Sequence, residues 1–307
     1  MKEHLIIKKY QQMKKIKILF AVLLVTPFLA FSQDEPEVNT ETTEKVESTD
    51  TKRKLEREAF DGMTLIESQT NVLRSRNTVE MFINHRFGLM NTGPHPNDML
   101  GLWGAANIRF ALNYSVIDRV TVGFGTTKDN RLQDFNIKGA LLQQKKGGGM
   151  PVSVTYYGNY TIDARKKENF YYTSDRYSFF NQLIVARRIN GNISVQATAS
   201  LSHYNLVESY MPNEVLSVGV GGRAKISPQT AIIAEYNHPI TKYDVDSLSS
   251  KPGISIGVEF STGAHAFQIF ITNNSGIVPQ KNNMYNQNDF FKGDFMIGFN
   301  ITRLWHL

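Results

Sequence analysis

From Ile193 to His203 one set of alternating residues reads Ile, Val, Ala, Ala, Leu, His, and the interleaved set reads Ser, Gln, Thr, Ser, Ser. Successive strand side chains point to opposite faces, so this stretch has one apolar face and one polar face. The pattern recurs. Segments of similar kind lie at 78–88, 103–114, 119–127, 133–143, 152–162, 177–188, 192–203, 214–226, 230–238, 253–261, 265–273 and 294–305. A helical period of comparable strength appears nowhere in this region.

The connections constrain the fold further. Gaps at 89–102, 128–132, 163–176, 204–213, 239–252 and 274–293 are mostly long, whereas those between them are turn-sized and carry "SVID", "KKGGGMP", "ING", "SPQ" and "TGA". Alternating tight turns and extended loops are the signature of a barrel that crosses a membrane. Eleven residues at roughly 3.3 Å each, tilted near 45°, rise about 25 Å, the height of an outer-membrane apolar band. Closure pairs every backbone group, which an open sheet in hydrocarbon cannot do. The fold expected is all-β, a transmembrane antiparallel up-and-down β-barrel of about twelve strands, preceded by a signal peptide and a disordered leader. Its lipid is that of the outer membrane of a Gram-negative bacterium. Tyr114, Tyr160, Tyr177, Tyr204, Tyr236 and Trp305 stand near strand ends, where interfacial girdles form.

Ahead of the strands, Lys14, Lys15 and Lys17 precede "ILFAVLLVTPFLAF", and Ala30 and Ser32 supply small residues before Gln33. This predicts a secretory signal peptide over 1–32, with Met13 a plausible true start. The formal charge of +6 is largely the signal's, since residues 1–32 carry six Lys against one Glu. No basic face remains for nucleic acid. Residues 33–59 are acidic, Thr-rich and poor in large apolar groups, the composition of a disordered periplasmic leader. Its 34–59 stretch is the place for a periplasmic partner. The domain expected to fold is 60–307.

"TLIESQT", "NTVEMFINHRFG" and "IRFALNYSVIDRVTVGFGTT", with Asn84–Gly88, Tyr114 and Asp118–Gly125 as the matching positions, resemble a family of membrane-bound β-barrel domains of unknown function from Gram-negative bacteria. The resemblance spans roughly 60–307 and implies an outer-membrane barrel without an assigned activity. The last strand, "GDFMIGFNITRLWHL", resembles the C-terminal signal read by the barrel assembly machinery, although Trp305 lies two positions inside the end.

Catalytic and metal chemistry find little support. The chain has no Cys. Ser202 and His203 are adjacent, so their side chains point to opposite faces and cannot form a dyad directly. His85, His95, His203, His238, His265 and His306 are scattered, and Asp244 and Asp246 lack the glycine and glutamate of a calcium loop. The expectation is no enzyme, no cofactor and no metal.

Face parity turns Glu80, Arg86, Arg109, Lys138, Arg223, Lys225, Glu235 and Glu259 inward. Paired, these charges plug the lumen; segregated, they line a selective pore. The basic excess suggests a weak anion preference. The reading is a porin-like small pore or solute-binding barrel. The alternatives are a structural or partner-binding barrel without transport and, third, a lipid-modifying enzyme.

Overall fold

The computed structural model describes residues 54–90, 99–147 and 149–307. The signal peptide, leader residues 33–53 and His95 lie outside them. Twelve strands form one closed barrel: β1 (Thr78–Leu89), β2 (Asn107–Ile117), β3 (Val120–Thr127), β4 (Leu132–Leu142), β5 (Ser153–Asp163), β6 (Tyr177–Arg188), β7 (Ile193–Tyr204), β8 (Glu214–Lys225), β9 (Thr230–Pro239), β10 (Gly253–Ser261), β11 (His265–Thr272) and β12 (Met296–His306). Each strand pairs antiparallel with its neighbours in sequence, and β1 closes on β12 with Ile83 opposite Ile301. All twelve expected strands are present. β2 starts four residues late because 99–104 folds over the end of β1: Gly88 and Gly104 both donate backbone hydrogen bonds to Gly101 O, at 2.9 and 3.1 Å.

The faces follow the sequence alternation. On β7, Ile193, Val195, Ala197 and Ala199 are exposed to the surroundings and Ser194, Gln196, Thr198, Ser200 and Ser202 are buried inside. On β1 the outward set includes His85, whose ring stacks on Phe299 with centroids 4.9 Å apart. Tyr204 departs from the girdle reading. It shares the inward parity of Ser202 and packs its ring against Tyr285, from the longest loop, at 5.3 Å.

The end with short turns also carries both ends of the barrel, so residues before β1 approach the lumen there. Residues 54–59, expected at the tail of a disordered leader, are seated on this end. Glu56 N donates to Gln144 O at 2.8 Å, Lys146 N donates to Lys54 O at 3.0 Å, and Ala59 is buried. Residues 54–59 are therefore part of the barrel's folded structure, because this edge of backbone finds partners in the long 143–152 turn and Ala59 finds a core.

Candidate functional site

Residues 58–74 run inside the barrel, with 54–57 and 75–77 at its turn-end mouth. Their centre is the "TLIESQT" stretch, a tight hairpin in which Leu65 N donates to Ser68 O (2.8 Å) and Thr70 N donates to Met63 O (2.9 Å). Phe60, Met63, Leu65, Ile66 and Val72 from this segment pack with the inward Phe82, Ala111, Ala186, Ile233 and Phe270. Burial of each large side chain contributes about 1.5–3 kcal/mol, which gives the lumen an apolar core. β8 makes room for it. A Cβ on Gly221 would sit 2.6 Å from Leu65 Cδ2.

Around that core the wall charges terminate on the inner segment. Arg86 forms a bidentate pair with Glu67, Nε to Oε1 at 3.1 Å and Nη2 to Oε2 at 3.0 Å. It also donates to Asn300 Oδ1 and lies 4.4 Å from the Phe270 ring centroid. Glu80 accepts from Arg74 at 3.0 and 3.1 Å. Lys138, 0% exposed, has no carboxylate at hydrogen-bond distance and instead donates to Met63 O at 2.7 Å. Glu235 accepts the backbone N–H groups of Ile66, Glu67 and Ser68 at 3.4, 2.7 and 3.1 Å, so the hairpin tip is an anion nest for it. Arg223 bridges Glu259, at 2.8 Å, to Asp61 of the segment, and Lys225 stands 3.9 Å from the same Asp61.

Arg109 is the exception among the basic residues. It pairs within the wall, Nε and Nη2 to the two Asp134 oxygens at 2.8 and 2.7 Å. β3 leaves a gap for this pair, since a Cβ on Gly125 would come within 2.5 Å of both Arg109 Nη2 and Asp134 Oδ2. All eight charges expected inside are inside, yet none lines an open channel. Asp134 belongs with them. It shares the parity of Lys138 and was legible on that ground. With Asp134, Asp61, Glu67 and Arg74 added, the eight expected charges become six acidic and six basic groups, and the expected basic excess among them disappears.

The opposite end is filled by the 273–295 loop. Its helix α1 (Pro279–Tyr285) packs on β6, β7, β8 and β9, with Gln280, Asn283 and Met284 buried. Ser202 turns its Oγ to Asn283 inside, while His203 outside bonds Asn205 at 2.9 Å, so the two do not meet. Among the described residues no three His, Asp or Glu side chains are grouped to hold a metal ion. At the turn end lies a cavity of about 510 Å³, bordered by Glu58, Arg57, Arg74 and Lys225.

These features define a membrane-spanning β-barrel whose lumen holds its own N-terminal segment. The chain belongs to the family described as "Membrane bound beta barrel domain (DUF5777)", whose model matches residues 60–305 and so takes in most of the inner segment as well as the wall. No curated protein matches the sequence. Among solved structures it is similar to the KdgM porin (5% identity, TM-score 0.44, 75% of this chain and 99% of that one). It is also similar to the NanC porin (8%, 0.43, 75% and 99%) and to the COG4313 outer membrane channel from Pseudomonas putida F1 (10%, 0.45, 76% and 97%).

Proposed function

We propose that this protein is a shut channel of the Gram-negative outer membrane, which passes small polar solutes only when residues 58–74 leave the lumen. The observation that carries this reading is the kind of anchor used. The segment is held to the wall by side-chain pairs and by its backbone, whose carbonyls accept hydrogen bonds from Lys138, Gln196 and Asn300 and whose N–H groups donate to Glu235. Water can replace these polar contacts as the lumen hydrates, and the wall left behind is largely polar, with an apolar patch at Phe82, Ala111, Ala186, Ile233 and Phe270. In this reading the turn end faces the periplasm and the acidic 34–53 stretch is a handle on which a periplasmic partner pulls. The β12 strand is then the signal for the assembly machinery.

A second reading, a structural barrel with a permanently sealed lumen, is favoured by the filling of both ends. The test uses the chain's lack of cysteine. A Leu65→Cys, Gly221→Cys pair is the crosslink to try, since a β-carbon on Gly221 would stand 2.6 Å from the tip of the Leu65 side chain. Planar-bilayer recordings of the uncrosslinked barrel should show rare openings, which vanish on oxidation and return on reduction. Steady conductance indifferent to the crosslink rejects gating by the segment. Silence in both states supports the sealed barrel.

A further inference from the structure

The loop-end helix α1 makes contacts of a distinctive chemistry. Gln280 Nε2 donates to Asn159 Oδ1 (3.0 Å), Thr161 Oγ1 (2.8 Å) and Ser178 Oγ (3.3 Å). Asn283 Nδ2 donates to Ser202 Oγ (3.0 Å) and Ser200 Oγ (3.4 Å), and Asn237 Nδ2 donates to Asn283 Oδ1 (2.5 Å). From β5 to β9 the wall at this level is therefore an arc of hydroxyls and amides, bordered on the β4 side by the Arg109–Asp134 pair, whose carboxylate accepts from Asn159 Nδ2 at 3.1 Å. Two amides from one helix span it, as the hydroxyls of a bound solute would.

Beside the arc lies an aromatic bed. Met284, 0% exposed, fills a recess formed by Met211, Val215 and Tyr243, flanked by Tyr204 and Tyr210. A flat ring face next to a row of neutral hydrogen-bonding groups suits a sugar, whose C–H face packs on the ring while its hydroxyls both donate and accept. Beneath α1 a cavity of about 30 Å³ separates the helix from the hairpin. Two buried groups that border it, Gln182 Oε1 and Asn274 Oδ1, have no hydrogen-bond partner, and neither does Gln280 Oε1 on the helix itself. The floor is formed by Glu67, held by Arg86, and Glu235, held by three backbone N–H groups, and among the described residues no Lys or Arg lines the cavity to receive an anion entering from above.

We infer that α1 is a lid lying on a saccharide site, and that the loop-end lumen between β5 and β9 binds neutral oligosaccharides when the helix swings out. The site deepens the channel reading by naming a solute class. Its test is binding rather than conductance, so either can fail while the other stands. Besides the arc, the lid is held by Lys281, which pairs with Asp129 of a neighbouring loop, by Tyr243 Oη and Ser250 Oγ, which donate to Met284 O and Asn282 O, and at its C-terminal end by Lys251 N, which donates to Asn286 O at 2.7 Å. A site covered most of the time shows an affinity reduced by the uncovered fraction, and loosening the cover restores it.

Calorimetric titration of the full-length barrel in detergent, with maltotriose, cellotriose and an oligoglucuronate trimer as probes, decides the matter. A Gln280→Ala, Asn283→Ala variant should bind a neutral trisaccharide at least about tenfold more tightly than the native chain. Adding Thr161→Val and Ser202→Ala, which keep side-chain volume close but remove arc hydroxyls, should lose at least about tenfold of that gain. Heat-modifiable gel migration confirms that each variant is a closed barrel. The inference is overturned if the folded lid variant binds neither neutral probe, if the arc substitutions leave affinity unchanged, or if the acidic trimer binds better than both.

Discussion

Arg86 of β1 and Glu67 of the inner hairpin meet in a bidentate ion pair from which water is excluded, with the arginine side chain 1% and the glutamate side chain 9% exposed. Removing one member of such a pair strands the other's charge, which costs about 3–5 kcal/mol, whereas removing both is far less damaging. Arg86→Met should therefore destabilise the barrel by about that amount, and Arg86→Met with Glu67→Gln should recover most of the loss. Urea unfolding in lipid vesicles across this double-mutant cycle measures it. Equal stabilities for the single and double variants would show that the two side chains are not coupled.

Gly125 is required by its neighbours across the sheet and not by its own backbone. Any β-carbon there presses on the Arg109 guanidinium and the Asp134 carboxylate, which hold each other in two hydrogen bonds and have little freedom to retreat. Gly125→Ala should cost about 1–3 kcal/mol, the usual range for an overfilled interior. The same substitution in an Arg109→Gln, Asp134→Asn background should cost less, again by urea unfolding.

The strands were legible because their signal is local: alternation places Val195 outside and Ser194 inside whatever the rest of the chain does. The inner segment was not. Its hairpin, "TLIESQT", is too short to show a period, and its anchors are remote in sequence, Ile66 N meeting Glu235 across 169 residues. Nothing local to Phe60, Met63 and Leu65 says that they form a core within the barrel. Parity was also stronger than position for Tyr204, which stands at a strand end but faces in. The eight strand charges expected inside are five basic and three acidic, an excess removed by Asp134 on β4 together with Asp61, Glu67 and Arg74 of the inner segment.

The outward face of β7 supplies a depth gauge. Ala199 lies midway along a strand that runs from Ile193 to Tyr204, and it faces the surroundings. Arginine at the middle of a lipid-facing strand costs about 2–4 kcal/mol, falling to about 0–1 at the interfaces. Ala199→Arg should be costly and Ile193→Arg nearly neutral when unfolding is followed in lipid vesicles. Equal costs would mean that β7 does not cross an apolar layer in this orientation.

Glu58 gives the inner segment a pH dependence of definite sign. Burial at the turn-end mouth raises its carboxyl to about 7, against the partial relief given by the Lys138 and Arg74 charges. It accepts a hydrogen bond from Asn71 Nδ2 at 2.9 Å within the segment itself. A carboxyl raised in the folded state above its ordinary 4.5 favours the docked form while protonated, so its contribution is complete below about 4.5 and is lost as pH rises through about 7. Docking of 56–73 should then be tighter at pH 5 than at pH 8. Amide hydrogen exchange in this segment, corrected for the intrinsic effect of pH, should be slower at the lower pH, and Glu58→Gln, a neutral mimic of the protonated acid, should remove that part of the difference. If the native chain exchanges more slowly at pH 8, or if Glu58→Gln leaves the profile unchanged, the Glu58 carboxyl does not govern docking of the segment.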